Sequence, residues 1–186
     1  MTPLTTRATL DDLARVAGKA ELIRGRVVHL MPTGDLPSDV ANEIFVSLRA
    51  YAKAEGVGVA KADGVGYAIP ELLSGRESFS PDASYYVGPR PANRMRYIEG
   101  PPTFAVEVRS ENDYGDAAEE DMAAKRSDYF QAGTLVVWDV DPESEVVSVY
   151  RSGDPNNPVI YQRGDAAEAE PAVPNWRLPV DDIFNV

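Results

Sequence analysis

The chain has 186 residues, 44% of them hydrophobic and 26% charged, with a formal net charge of −12; this composition suits one globular domain whose core needs no covalent staple. The absence of cysteine excludes disulfides, thiolate metal sites and cysteine nucleophiles, and a reducing cytoplasm is the compatible compartment. The acidic balance repels a polyanion at long range, while no apolar run approaches the roughly 18 residues of a membrane span, so an intracellular protein that engages no membrane is expected.

In chain order, "TLDDLARVAG" reads as a short amphipathic helix, capped by Thr9 or Asp11, with Leu10, Leu13 and Val16 on one face and Gly18 as its stop. "ELIRGRVVHLMP" alternates about Gly25 as a hairpin does. "PSDVANEIFVSLRAYAKAEG" carries Val40, Ile44, Phe45, Leu48 and Tyr51 at helical spacing, starting at Pro37 or Ser38 and ending at Gly56. The period then falls to two, with strands expected at about 57–61, 65–69, 82–87 and 103–109. A second long helix is expected at about 114–131, with Glu119, Glu120 and Asp121 favouring its N-terminal half and Gly133 just past its end. "TLVVWDVD" and "EVVSVYRSG" read as a hairpin, followed by a strand near "PVIYQRG". "DAAEAEPAVPNW" is polar and broken by proline, so it reads as loop, and "LPVDDIF" docks back through Leu178, Val180, Ile183 and Phe184. Apolar runs such as "FAVEV" and "LVVW" suggest central strands covered on both faces. The expectation is a single α/β (α+β) domain over 1–186, without repeats or a dividing linker.

Two acids stand where burial is expected. In "SFSPDASYYVGP" Asp82 follows a proline and opens a strand; in "PPTFAVEVRS" Glu107 lies among core residues. An isolated buried carboxylate costs several kcal/mol while it stays charged, roughly as any desolvated ion does. Two acids on adjacent strands repel further unless a cation lies between them. A hard dication such as Mg²⁺ takes oxygen ligands and keeps several waters, so one Asp, one Glu and a carbonyl suffice, and it can activate water at a phosphodiester. Two cations could stand beside the nucleophile. Arg109 lies two residues after Glu107, on the same strand face. Lys125 shares a helical stripe with Asp121 and Tyr129. Because lysine can shed a proton and arginine cannot, Lys125 is the expected water-positioning group or base, and Arg109 the charge stabiliser.

Simpler readings stand beside these. Asp82 can be a solvated strand start, Glu107 can pair structurally with Arg109 or Lys125, Tyr129 can be a core residue, and His29 a satisfied strand histidine. Arg90, Arg94 and Arg96 form a basic run that is either a solvated loop or a phosphate contact.

Taken together, "PDASYYV", "PTFAVEVRS", "DMAAKRSDYFQAG", "VVWDVDP" and "VVSVYR" resemble the PD-(D/E)XK nuclease superfamily, specifically its Uma-type family of restriction-endonuclease-like proteins, from "ELIRGRVVHLMP" to "DDIF". The resemblance implies a restriction-endonuclease-like core, a mixed central β-sheet flanked by helices, with an N-terminal β-hairpin and helix. It further implies Asp82 and Glu107 as ligands of Mg²⁺ or Mn²⁺, a catalytic lysine moved onto the helix at Lys125, and Glu21 as an additional carboxylate at the rim of the site. The implied activity is metal-dependent hydrolysis of DNA phosphodiester bonds, by a homodimer if both strands of a duplex are cut. The family's histidine at the start of the long N-terminal helix has no counterpart here, and "RSE" follows "VEV" where the family has an apolar residue and "SP". These departures, with the net charge, suit two alternatives: a catalytically inactive nuclease-fold interaction module, or a metal-dependent hydrolase of a small phosphorylated substrate.

Overall fold

In a computed structural model that describes residues 7–186, the alternating segments form one six-stranded mixed sheet and three smaller sheets, and the two long helices lie on the two faces of the larger one. The first six residues, which the sequence counts within the single domain, lie outside the described residues. Helix α1 (Leu10–Leu13) is a single turn, closed by a capping box in which Thr9 and Asp12 exchange side-chain and backbone bonds. It ends before Val16, so only Leu13 of the expected apolar face is buried within it. Strands β1 (Ala20–Ile23) and β2 (Arg26–His29) form the expected antiparallel hairpin. Its two-residue turn has Arg24 and Gly25 at φ 53° and 65°, the left-handed pair that matches strand twist.

Helix α2 (Asp35–Glu55) starts two residues before Pro37. Its first-turn N–H groups have no helical partner, so proline is tolerated there and does not mark the boundary. Then come β3 (Val59–Ala62), β4 (Tyr67–Ala68), β5 (Ser78–Phe79), β6 (Ala83–Tyr86), β7 (Ile98–Glu99) and β8 (Phe104–Val108). Helix α3 (Asp116–Ala132) leads to β9 (Val136–Asp141), β10 (Val146–Arg151) and β11 (Asp154–Tyr161). The six-stranded sheet has the order β11-β10-β9-β8-β6-β3. Only β8 and β9, joined by the α3 crossover, run parallel; the other pairs are antiparallel.

Side-chain alternation separates the two faces. Phe104, Val106 and Val108 of β8, with Val136, Trp138 and Val140 of β9, join one core with Val40, Ile44 and Leu48 of α2. Ala105 and Val137 face the opposite core, with Tyr129 of α3 and with Tyr67, Phe79 and Ile98 of a small sheet ordered β5-β4-β7. Both faces are covered, as the apolar runs predict.

One expected loop is structured. Residues 165–176 contain β12 (Ala166–Ala169) and the start of β13 (Val173–Pro179), an antiparallel pair with a register shift between Glu168 and Ala169. Proline and acid content suggested a loop, but Ala167, Ala169, Val173 and Trp176 are buried in the α2-side core. Burial of alternate side chains outweighs the polar positions between them. The tail closes as expected, with α4 (Val180–Phe184) burying Val180, Ile183 and Phe184. Among the described residues, no helix is long and apolar enough to cross a membrane.

Candidate active site

The last paired position of β6 and β8 is Ala83 opposite Val106, and both side chains enter the α2-side core. Asp82 and Glu107, one residue further along each strand, therefore project from the other face, toward α3. Asp82 is fixed by the strand ends themselves: its N–H donates to the Val106 carbonyl at 3.0 Å, and its Oδ2 accepts the Val108 N–H at 2.8 Å. A proline–aspartate strand start is thus a tether that turns a carboxylate across its neighbour.

Helix α3 lies over this edge. Lys125 Nζ is 2.8 Å from Glu107 Oε2 and 3.4 Å from Glu21 Oε1, and one turn on, Tyr129 donates its hydroxyl to Glu107 Oε1 at 2.6 Å. Burial alone would lower the Lys125 pKa, but Glu107, Glu21 and Asp82 outweigh it and hold the ammonium well above its ordinary value. Burial raises the Glu107 carboxyl, and although Lys125 opposes this, Asp82 and Glu21 add to the rise. The Tyr129 phenol is also pushed up, by burial and then by Glu107; it remains a donor at neutral pH.

Glu21 is 2% exposed. It stands beneath Lys125 instead of at the rim, held there by Ser80, Arg76 and Lys125. Its Oε1 accepts the Ser80 N–H at 2.9 Å and its Oε2 pairs with Arg76, whose Nε reaches Asp128 on α3 at 2.9 Å. Burial pushes the Glu21 carboxyl up, but Lys125 and Arg76 more than offset it and leave it below the ordinary range.

Arg109 does not join this set. Its guanidinium forks onto Asp139 at 2.8 and 2.9 Å and pairs with Glu119; Asp139 also accepts from Arg126 at 3.0 Å. The expected stripe and strand-face geometry hold, but a paired carboxylate on β9 takes the arginine first. Asp121 is exposed on the cleft wall and His29 is exposed on β2. Among the basic run, Arg96 pairs with Asp11, while the charges of Arg90 and Arg94 reach Lys61 on β3, whose pKa is lowered by burial and then by them.

Five participants, Asp63 among them, escaped the sequence reading. Lys19 bridges Asp82 at 2.7 Å and Asp63 at 2.6 Å; it lies two residues before Glu21, so strand alternation could have found it. Asp128 follows Lys125 by three residues, a helical neighbour. Asp139 in "VVWDVD" is an acid in a buried strand, detectable by the logic that picked out Glu107. Arg76, in "SGRESFS", gives no local signal.

The site opens into a cleft of two lobes, about 550 and 320 Å³, both lined by Leu30, Glu107, Val108, Asn112, Asp113 and Lys125. Its donor chemistry fits a hard dication. Carboxylate oxygens are the ligands Mg²⁺ prefers, and two of them with waters make an adequate set. Charge agrees: five carboxylates (Glu21, Asp63, Asp82, Glu107, Asp128) meet three cations (Lys19, Arg76, Lys125), an excess of two negative charges. Among the described residues no three His, Cys, Asp or Glu side chains form a ready-made cage, so any ion bound there keeps much of its water.

Comparisons with known proteins bear on the family and the fold. The Uma2 family, described as "Putative restriction endonuclease", matches residues 8–181. The crystal structure of "a putative nuclease belonging to DUF820" from Anabaena variabilis ATCC 29413 superposes with a TM-score of 0.71 at 20% identity, covering 95% of this chain and 97% of its own. That likeness shows a shared fold. No curated protein sequence matches the chain.

Proposed function

The chain belongs to the Uma2 family, and from that premise we propose that it is a divalent-metal-dependent endonuclease hydrolysing DNA phosphodiester bonds. Asp82 and Glu107 would hold Mg²⁺ or Mn²⁺. Bound there, the ion supplies Lewis acidity that eases ionisation of water and charge growth on the phosphoryl group. Lys125 donates a hydrogen bond to the attacking water and orients it; the water oxygen gives up its proton to solvent and bonds to phosphorus as the bond to the leaving sugar oxygen breaks, and that oxygen takes a proton from solvent. Glu21, itself braced by Arg76, fixes Lys125 from below, and Tyr129 fixes Glu107. Arg109 serves through Asp139, tying β9 to the first turn of α3. Lys61, Arg90 and Arg94 offer a local cationic path for the DNA backbone on an otherwise acidic molecule, and a homodimer would present the two sites that duplex cleavage requires.

The observation that carries this reading is the convergence of Asp82 and Glu107 from adjacent strands onto one face, with Lys125 seated on Glu107. The test is incubation of the Mn²⁺-loaded protein with supercoiled plasmid and with circular single-stranded DNA, beside Asp82→Ala, with calorimetric titration of Mn²⁺ into both proteins. Nicking or linearisation lost in Asp82→Ala supports the proposal.

One observation favours the interaction-module reading. All four carboxylate oxygens of Asp82 and Glu107 already accept hydrogen bonds from within the protein. Absence of Asp82-dependent Mn²⁺ uptake would select that reading. Uptake without DNA cleavage would select hydrolysis of a small phosphorylated substrate.

A further inference from the structure

Like Lys125 and Arg76, Lys19 meets two carboxylates, but only one of its pair, Asp82, stands at the strand ends beside Glu107. Its Nζ lies 2.7 Å from Asp82 Oδ1 and 2.6 Å from Asp63 Oδ1. The seats differ in kind. Asp82 is 12% exposed and tethered at its other oxygen by the Val108 N–H, whereas Asp63 is 42% exposed, in the turn after β3, and among the described residues otherwise holds only the neighbouring Gly64 N–H. The root of Lys19 is fixed, because its carbonyl accepts the Leu30 N–H at the base of the β1–β2 hairpin. Its long side chain can therefore shift between seats without moving the backbone.

We propose that Lys19 is a placeholder for the dication: it neutralises Asp82 while the site is empty and retires onto Asp63 when the ion takes Asp82 Oδ1. This rests on the reading of Asp82 and Glu107 as metal ligands. Without such a counter-ion, two partly buried carboxylates from adjacent strands would repel each other with little water between them, which is costly. A lysine suits the task better than an arginine, since a point charge on a flexible stem can change partners while a guanidinium fork locks to one. Arg109, forked onto Asp139, shows the locked case in the same sheet. Lys19 is thus a positioning residue, whose effect on hydrolysis runs through Asp82.

The test is calorimetric titration of Mn²⁺ alone into wild type, Lys19→Met, Lys19→Arg, Asp63→Asn and the Lys19→Met/Asp63→Asn double variant, with thermal melts of each metal-free protein. Lys19→Met is expected to bind Mn²⁺ about tenfold more tightly, as removal of a like charge within a few ångströms does, and to melt earlier without metal. Lys19→Arg retains the charge and stays near wild type in its metal-free melt. Asp63→Asn deprives the lysine of its second seat and binds several-fold more weakly, and this loss disappears in the double variant. Equal loss on Asp63→Asn with and without Lys19 would mean simple long-range attraction and would overturn the proposal, as would unchanged or weaker binding by Lys19→Met. Should Lys19→Met not fold, Asp63→Asn decides alone, and unchanged or tighter binding there overturns it. If Asp82→Ala takes up Mn²⁺ as wild type does, the metal reading itself is at fault.

Discussion

Two ion networks stand side by side on the α3 face of the sheet, and their difference separates what holds the protein together from what can react. Glu107 on β8 and Asp139 on β9 are paired neighbours in the parallel ladder, both acids in strands that otherwise read as core. Around Asp139 the charges balance: Arg109 and Arg126 face Asp139 and Glu119, and Arg126 also stacks on the Tyr150 ring at 4.1 Å. Around Asp82 and Glu107 acids outnumber bases by two, and the heads of Lys19 and Lys125 line the cleft. An acid in a buried strand is therefore not in itself a sign of catalysis. A closed, forked, neutral network is structural, while an open network with surplus charge has capacity for a further cation.

The comparison is sharpest in stability. Asp139→Ala leaves two largely buried guanidinium groups without their shared carboxylate and is expected to cost about 3–5 kcal/mol, read from urea unfolding. Asp82→Ala removes one acid from an acid-rich cluster and leaves Lys19 its Asp63 seat, so its metal-free stability should stay close to wild type. Equal losses from the two substitutions would break the distinction. In activity the ranking inverts: Lys125→Met should lower plasmid nicking by about 10²-fold, the loss typical of one charge-stabilising donor. A variant that nicks normally would remove Lys125 from the reaction.

How much of this was legible in the sequence follows from how local the signal is. Periodicity exposed the hairpin, both long helices and the central strands, because their apolar patterns are set by the faces they bury. Asp82 and Glu107 were visible for the same reason, since each breaks the pattern of its own element, whereas Lys125 was marked by its helical stripe with Asp121 and Tyr129 and by the family resemblance. The β12–β13 pair was missed because its buried positions are small residues interleaved with proline and glutamate, and only α2 and Trp138 across the fold explain their burial. Arg76 was missed because its partners, Glu21 and Asp128, lie 55 and 52 residues away. Arg109 was placed on the correct face with the wrong partner, since alternation gives direction and not the identity of the nearest acid on the next strand.

A smaller effect probes the edge of the balanced network. Glu119 is about half exposed where it meets Arg109, so Glu119→Ala should cost under about 1 kcal/mol in the same urea assay, against the several expected for Asp139→Ala. A cost comparable to that of Asp139→Ala would mean that the helix start, and not the buried fork, carries the network.

The smallest effect has the most informative sign. Glu107 is held above the ordinary glutamate range, chiefly by burial, so its ionisation disfavours the fold. That penalty is absent below the ordinary glutamate pKa of about 4.3, develops as pH rises toward the higher folded value, and is complete above it. Glu107→Gln should therefore melt slightly above wild type at pH 7 without metal, and the gap should close as pH falls toward 4. Glu21, held low by Lys125 and Arg76 against its burial, must behave oppositely: Glu21→Gln melts below wild type at pH 7, and that deficit shrinks as pH falls through the depressed value. Saturating Mn²⁺ then reverses the Glu107 result alone, because the ionised carboxylate gains a partner that glutamine cannot bind as well. If Glu107→Gln is the less stable protein at pH 7 without metal, Glu107 belongs with Asp139 among the satisfied structural acids, and the surplus charge that distinguishes the two networks does not exist.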